Sequence, residues 1–107
     1  MMMPNDTIAK EMLELMGLTK SKTNVTQLMV FWEAMNIYEQ RNNLYEDGWR
    51  TYGWRDSIHH MRSKLGRLFK MFGDDMREKN LDDAHDLLNY TAFFIRNVRL
   101  GNENGDG

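Results

Sequence analysis

The sequence predicts an all-α fold, a small antiparallel helical bundle with one short and three longer helices. Three observations lead to this prediction. Apolar residues recur every three or four positions along most of the chain, which is the spacing of a helix face. The only proline is Pro4, so no later proline interrupts a helix. Strand-like alternation is scarce, and 107 residues suit a single domain with one modest core.

The composition is that of a globular chain and excludes several kinds of site. Apolar residues make up 41% and charged residues 28% of the sequence, which is typical of a folded domain. There is no cysteine, so disulfides, thiol nucleophiles and cysteine zinc sites are excluded. The net charge of −2 argues against non-specific nucleic-acid binding. Without a signal peptide or a membrane-length apolar run, a cytoplasmic protein that does not bind membranes is expected.

Two helices are predicted in the first part of the chain. The first covers Thr7–Met16 and ends at Gly17, because glycine commonly closes a helix in the left-handed conformation. A polar connection then leads to a long helix that starts near Asn24 or Thr26 and continues to about Asn43. Its apolar positions, which recur at helical spacing, are Leu28, Phe31, Trp32, Met35 and Tyr38.

Residues 44–55, LYEDGWRTYGWR, are predicted to form an aromatic loop, because they combine two glycines with two tryptophans and two tyrosines. The next helix is predicted to have Asp56 or Ser57 as its N-cap and to stop at Gly73. It carries the most regular apolar stripe in the chain. This stripe consists of Ile58, Met61, Leu65, Leu68 and Phe72.

A charged turn over residues 74–80 precedes the final helix, which is predicted to begin at Asn80 and to continue to about Val98. Its buried stripe would consist of Leu81, Ala84, Leu88, Ile95 and Val98. Residues 101–107 have nothing to bury, so they are predicted to be a disordered tail behind a single helical domain over residues 1–100. A core of this size is marginal, so a homo-oligomer, a dimer or higher, is expected to form through helix faces.

An acidic cluster at the start of the last helix is the first candidate site. With Asn80 as N-cap, Asp82 and Asp83 fall in the first turn, where each stabilises the helix dipole by about 0.3–1 kcal/mol. Asp83 could also complete a capping box. Asp86 lies one turn further along, so capping does not explain it, and Asn89 follows three residues later. Carboxylates one turn apart can jointly bind Mg²⁺, which makes Asp83 and Asp86 candidate metal ligands.

A basic face on the preceding helix is the second candidate site. Arg62, Lys64 and Arg67 are the residues expected to hold phosphates there. Salt bridges between neighbouring helices are the alternative explanation, and exposed ones contribute only about 0–1 kcal/mol. Gly66 in the middle of this helix costs about 1 kcal/mol relative to alanine, which suggests a close approach by another helix or by a ligand. The sequence leaves both explanations of the basic face open.

The aromatic loop supplies the third candidate site. Trp49, Tyr52 and Trp54 are candidates for stacking on a nucleobase, an interaction worth about 1–3 kcal/mol per base. The alternative is that these rings close the end of the bundle, as most loop aromatics do. The interleaved Arg50 and Arg55 favour the binding interpretation slightly.

The segment from Tyr45 to Ile95 resembles a known family. It places a loop rich in tyrosine, glycine and tryptophan before a helix containing KLGRL (64–68) and a helix reading DxxDLLNYTAFFI (83–95). This order resembles the nucleotide modification associated helical domain of phage genomes. More distantly, it resembles the all-α nucleoside triphosphate pyrophosphohydrolases, the MazG-like and dimeric dUTPase group. The resemblance covers about half of the chain.

The resemblance implies a magnesium-dependent nucleotide site inside a helical bundle, usually completed by dimerisation. In the pyrophosphohydrolases, an EExxE cluster lies on one helix and an ExxD pair on a later helix. Asp83 and Asp86 match the second pair in spacing, with aspartate in place of glutamate. Glu33 and Glu39 do not reproduce the first cluster. The chain therefore departs from the family where catalysis requires metal ions positioned on the phosphates.

Three functions are consistent with these residues. The leading hypothesis is that the protein binds a nucleotide or nucleotide-derived small molecule and sequesters it, as a phage anti-defence protein in the host cytoplasm would. Lys64, Arg67 and Arg62 would then hold phosphates, Asp83 and Asp86 would bind Mg²⁺, and Asn89 would orient them. The first alternative is a magnesium-dependent nucleoside triphosphate pyrophosphohydrolase. The second is a helical protein-interaction module without a small ligand.

Overall fold

The computed structural model describes the backbone of residues 5–42, 48–71 and 78–105, and within these every side chain except those of residues 42, 48–52, 79 and 80. The regular secondary structure of the described residues is entirely helical. It comprises α1 (Asp6–Leu15), α2 (Lys22–Asn42), α3 (Gly48–Lys70), a 3-10 helix (Glu78–Leu81) and α4 (Asp82–Arg99). The predicted fold class, all-α with one short and three longer helices, is confirmed. None of the helices in the described segments is long and apolar enough to cross a membrane.

The chain forms two compact units, residues 1–39 and residues 40–107. In the first unit, the N-cap of α1 is Asn5, whose side-chain oxygen accepts a hydrogen bond from the backbone N–H of Ile8 at 2.9 Å. Assignment of residues 1–100 to a single domain stays a prediction.

Helix α1 ends as predicted, at Gly17. Gly17 has a φ of 73° and donates to the carbonyl of Glu14 at 3.1 Å. The N–H of Leu18 donates to the carbonyl of Leu13 at 2.9 Å, which completes a Schellman motif. The left-handed residue therefore satisfies two carbonyls that the helix itself cannot pair.

A small apolar cluster holds α1 against the first part of α2. It consists of the buried Ala9, Leu13 and Val25 with the partly buried Leu28 and Met29. Helix α2 begins slightly before the predicted start, because the hydroxyl of Ser21 accepts from the N–H of Asn24 at 3.1 Å and so caps the first turn.

The predicted aromatic loop is wrong from Gly48 onward, where the chain is already helical. Residues 43–47 lie outside the described residues. A single residue interrupts α3: Gly53 has a φ of 77° and a ψ of −179°, a backbone conformation that favours glycine. The regular part of α3 therefore starts at Trp54. Ser57 is not an N-cap, since its hydroxyl donates to the carbonyl of Gly53 at 3.1 Å.

The segment 101–105 differs from the disordered tail that the composition predicts. The N–H of Trp54 donates to the carbonyl of Asn102 at 3.0 Å, and that of Arg55 donates to the carbonyl of Glu103 at 3.1 Å. The break in α3 leaves these two N–H groups without acceptors in their own helix. The segment is thus positioned by backbone hydrogen bonds, which composition alone does not reveal.

The turn that leads into this segment is a second Schellman motif, centred on Gly101 with a φ of 69°. Gly101 donates to the carbonyl of Val98 at 3.0 Å, and Asn102 donates to the carbonyl of Asn97 at 2.8 Å. The buried Asn97 side chain donates to the carbonyl of Phe93 at 3.0 Å and accepts from the Asn102 amide at 2.9 Å. Both ends of this buried amide are therefore satisfied.

Helix α4 begins later than predicted. Its first residue is Asp82, and its N-cap is Leu81, which makes no side-chain capping bond. The predicted N-cap Asn80 is therefore wrong by one residue. The predicted capping box depends on the side chain of Asn80, which lies outside the described side chains. The predicted stop of α3 at Gly73 lies outside the described residues.

The apolar stripes predicted to be buried on α3 and α4 are partly exposed. Ile58 and Leu65 on α3, and Ile95 and Val98 on α4, are all exposed to solvent. The other described members of the two stripes, Met61, Leu68, Leu81, Ala84 and Leu88, are half-buried. The prediction of continuous buried stripes is therefore wrong, and charged residues also take part in the contact between α3 and α4.

Candidate functional site between helices α3 and α4

The polar face between α3 and α4 has a regular geometry. It pairs three residues of α3 with three residues of α4, and we refer to these six residues as the polar seam. They are His60, Lys64 and Arg67 on α3 and Tyr90, Asp86 and Asp83 on α4. From His60 the stripe on α3 advances by four residues and then by three. The stripe on α4 runs back from Tyr90 by four residues and then by three. This register is that of two antiparallel helices in contact along one stripe.

Lys64 is the central cation of the polar seam. Its Nζ lies 3.0 Å from Oδ2 of Asp86 and 3.9 Å from Oδ1 of Asp83. The side chains of Lys64 and Asp86 are each only 17% exposed. Arg67 lies at the rim, 57% exposed, with Nη1 3.3 Å from Oδ1 of Asp83. The shielded pair interacts more strongly than the rim pair, because solvent screens the rim pair.

The last turn of α2 adds a cation that the sequence did not indicate. Nη1 of Arg41 lies 2.5 Å from Oδ1 of Asp86, and its Nη2 lies 4.0 Å from Oδ1 of Asp82. Asp86 therefore faces both Arg41 and Lys64. Nothing in the spacing along α2 predicts this, because the contact joins residues 45 positions apart.

The other end of the polar seam is aromatic. The rings of His60 and Tyr90 stack with centroids 4.4 Å apart and planes 5° from parallel. Nε2 of His60 lies 3.2 Å from Oδ2 of Asp56, one turn earlier on α3. Tyr90 in turn meets Phe93 edge to face, with centroids 5.5 Å apart. Tyr90 therefore holds one face of the His60 ring, and Asp56 holds the edge that carries Nε2.

Two polar residues predicted for the site lie near the polar seam without belonging to the contacts above. Arg62 is exposed on α3, two residues before Lys64, and residues at that spacing do not share a helix face. Asn89 is half-buried on α4, three residues after Asp86. The phosphate-holding role of Arg62 and the orienting role of Asn89 stay predictions.

Trp54, one of the three predicted stacking residues, lies apart from Lys64. Trp54 meets Phe94 edge to face at 6.3 Å, and the guanidinium of Arg55 lies 5.2 Å from the centre of its ring. Trp54 precedes Lys64 by ten residues, which is about 15 Å along the helix. The side chains of Trp49 and Tyr52 lie outside the described residues. Trp54 thus packs α3 against α4 at the far end of the pair.

The predicted magnesium ligands Asp83 and Asp86 lie together in the polar seam. Among the described residues, no group of three or more histidine and carboxylate side chains is arranged to hold a metal ion. Mg²⁺ is, however, often held by only one or two carboxylates together with substrate phosphates. In the structure both aspartates face Nζ of Lys64. Magnesium binding stays a prediction.

Gly66, predicted to permit a close approach, faces open space. No atom of the described residues lies within 4 Å of the position that a Cβ would occupy there. The close approach occurs at Gly53 instead, where a Cβ would lie 2.5 Å from the backbone nitrogen of Gly105 and 2.6 Å from the carbonyl oxygen of Glu103.

No protein-family profile, curated protein or solved structure matches this chain. The all-helical architecture rests on the structure itself. The relation to the phage domain and to the MazG-like enzymes is a proposal based on the residues quoted above.

Proposed function

We propose that the protein binds a nucleotide or nucleotide-derived small molecule at the polar seam and sequesters it without turnover. One observation carries the proposal. Lys64, Arg67, Asp83 and Asp86, each selected from the sequence as a ligand-binding residue, come together at a single place between α3 and α4.

The placement of charge supports a functional role for this cluster. Lys64 and Asp86 are largely withdrawn from water, while the apolar Ile58, Leu65 and Ile95 on the same two helices are exposed. Stability alone favours the reverse, because replacing a buried ion pair by packed apolar residues is often neutral or stabilising. The ion pair is therefore weak evidence for a purely stabilising role, which leaves room for a binding role.

The balance of charge suggests how a ligand would enter. Arg41 and Arg67 lie at the rim, 53% and 57% exposed, where guanidinium groups can engage a phosphate through two hydrogen bonds. A phosphate that takes these two cations leaves Asp83 and Asp86 to share Lys64. Mg²⁺ arriving with the phosphate would neutralise both carboxylates. Phosphate and metal are therefore expected to bind together.

Sequestration accounts for the residues better than hydrolysis does. A pyrophosphohydrolase needs metal ions positioned on the phosphates and an activated water. Asp83 and Asp86 match one of the two carboxylate groups of those enzymes, whereas Glu33 and Glu39 lack the spacing of the EExxE cluster. Binding needs no second carboxylate cluster, whereas turnover does.

A second candidate function is a helical protein-interaction module. The observation that favours it is the set of exposed apolar residues on α3 and α4. These are Ile58, Leu65, Phe69, Ile95 and Val98. Clustered exposed apolar side chains commonly mark interaction surfaces.

Calorimetric titration with a panel of nucleotides, with and without Mg²⁺, tests the proposal. Lys64→Met should weaken binding at least about tenfold, since a charge-assisted hydrogen bond contributes about 1.5–3 kcal/mol. Arg62→Ala, on the same helix but off the polar seam, is the control for a general loss of positive charge. Chromatography of the mixture after denaturing the protein should recover the nucleotide intact.

The outcomes separate the candidate functions. Magnesium-dependent appearance of a nucleoside monophosphate would favour the pyrophosphohydrolase. The absence of binding by every nucleotide would remove the ligand hypothesis and leave the interaction module. Equal binding by the wild type and Lys64→Met would place any site elsewhere in the chain.

A further inference from the structure

We propose that the exposed side of the His60 ring, supported by Tyr90, is the stacking platform for the nucleobase of the ligand. The inference rests on the proposed function and names the part of the site that distinguishes a nucleotide from a bare polyphosphate. It replaces Trp54, which the sequence suggested for this role.

His60 is held in one orientation while part of its ring stays open. Tyr90 covers one face at a centroid distance of 4.4 Å, and Asp56 binds Nε2 at 3.2 Å. The side chain is nevertheless 42% exposed. With Tyr90 on one face of the ring, a base would stack on the opposite face. A flat ring fixed in this way needs little further ordering to stack on a base.

The platform lies at the right place relative to the phosphate residues. His60 precedes Lys64 by one helical turn, about 6 Å along α3. On α4, Tyr90 follows Asp86 by the same number of residues. A nucleotide lying along the polar seam would place its base on His60 and its phosphates beside Lys64 and Arg67.

The alternative aromatic residue is less suitable. Trp54 lies about 15 Å from Lys64 along the helix. Its ring meets Phe94 and lies near the guanidinium of Arg55. Trp54 lies six residues, about 9 Å along the helix, further from Lys64 than His60 does.

The test compares ligands with and without a base. Wild-type protein and variants are titrated in Mg²⁺ with ATP, GTP, CTP and UTP and with inorganic tripolyphosphate. We expect at least one nucleotide to bind about tenfold or more tightly than tripolyphosphate, as stacking predicts. His60→Ala should bring the ratio of nucleotide affinity to tripolyphosphate affinity down to about one, because the stacking ring is lost. His60→Phe, which keeps a stacking ring, should restore part of this preference.

His59→Ala is the matched control, because His59 is an exposed histidine at the neighbouring position of α3. It should behave as the wild type. A preference for the nucleotide that survives His60→Ala would overturn the inference while leaving the proposed function intact, provided that Lys64→Met still weakens tripolyphosphate binding. If neither tripolyphosphate nor any nucleotide binds the wild type, the proposed function and the inference both fail.

Discussion

Lys64 and Asp86 form a largely shielded ion pair between α3 and α4, with Nζ and Oδ2 3.0 Å apart and each side chain 17% exposed. The pair joins the middle of one helix to the second turn of the other. It lies between the aromatic contact of His60 with Tyr90 and the rim contact of Arg67 with Asp83. The helix pair thus places charge where packed apolar residues would normally be found.

The first prediction concerns the stability of this pair. Lys64→Met removes one partner of a shielded, charge-assisted hydrogen bond and should lower the free energy of unfolding by about 1.5–3 kcal/mol. Arg67→Ala removes a rim cation and should lower it by only about 0–1 kcal/mol. Urea denaturation followed by circular dichroism measures both changes. If both variants lost the same free energy of unfolding, the Lys64–Asp86 pair would not be better shielded from solvent than the Arg67–Asp83 pair.

The double variant Lys64→Met/Asp86→Leu provides the second prediction. Removing both charges and filling the space with apolar side chains should restore stability to about the wild-type value or above it. The same denaturation experiment measures this recovery. A double variant much less stable than Lys64→Met alone would show that the ion pair is needed for folding and would remove the argument that it is retained for function.

The third prediction separates the two mid-helix glycines. Gly53→Ala should destabilise the protein, because its φ is 77° and a Cβ would lie 2.5 Å from the backbone nitrogen of Gly105. A loss above about 1 kcal/mol is expected, since alanine is disfavoured at positive φ. Gly66→Ala meets open space and should instead stabilise by about 0.5–1 kcal/mol. Thermal melts of the two variants should therefore shift in opposite directions.

The fourth prediction concerns the buried amide of Asn97. Asn97→Ala leaves the amide group of Asn102 without its partner and should cost about 1–3 kcal/mol. Asn104→Ala changes an exposed asparagine in the same segment and should fall within about 0.5 kcal/mol of wild type. Hydrogen exchange at the N–H groups of Trp54 and Arg55 should speed up only in Asn97→Ala. Unchanged exchange would contradict the docking of residues 101–105.

The fifth prediction tests the apolar cluster of the first unit with two leucines of one helix. Leu13 is 2% exposed and Leu15 is 88% exposed. Leu13→Ala should cost about 2–5 kcal/mol through lost burial and the cavity left behind. Leu15→Ala should change stability by less than about 0.5 kcal/mol. Comparable losses at the two positions would contradict the assignment of Leu13 to the core.

Local sequence signals were enough to predict the fold class and to select four residues that the structure brings together, which are Lys64, Arg67, Asp83 and Asp86. Glycine at the end of α1 and the four-three spacing of apolar residues specify helices through short-range physics. Lys64 and Asp86 were identified by charge and spacing, and their reversed order on two antiparallel helices brings them together.

Long-range contacts account for what could not be predicted. Two contacts join distant parts of the chain: Arg41 pairs with Asp86, and the carbonyl of Asn102 accepts from Trp54. No periodic pattern in the sequence indicates either contact. Salt bridges between neighbouring helices were one of the two explanations of the basic face, but the shielding of Lys64 and Asp86 from water was not predicted. Apolar periodicity assumes that the apolar stripe is the buried one, and the shielding of Lys64 and Asp86 departs from that rule.

The most direct test of the central claim is native mass spectrometry after exposure to nucleotides and Mg²⁺. It compares the wild type with Lys64→Met/Asp86→Leu, whose fold is expected to be intact. The account predicts that the wild type retains an intact nucleotide and that the double variant retains none. A wild type without bound nucleotide, or equal occupancy in the two proteins, would contradict it.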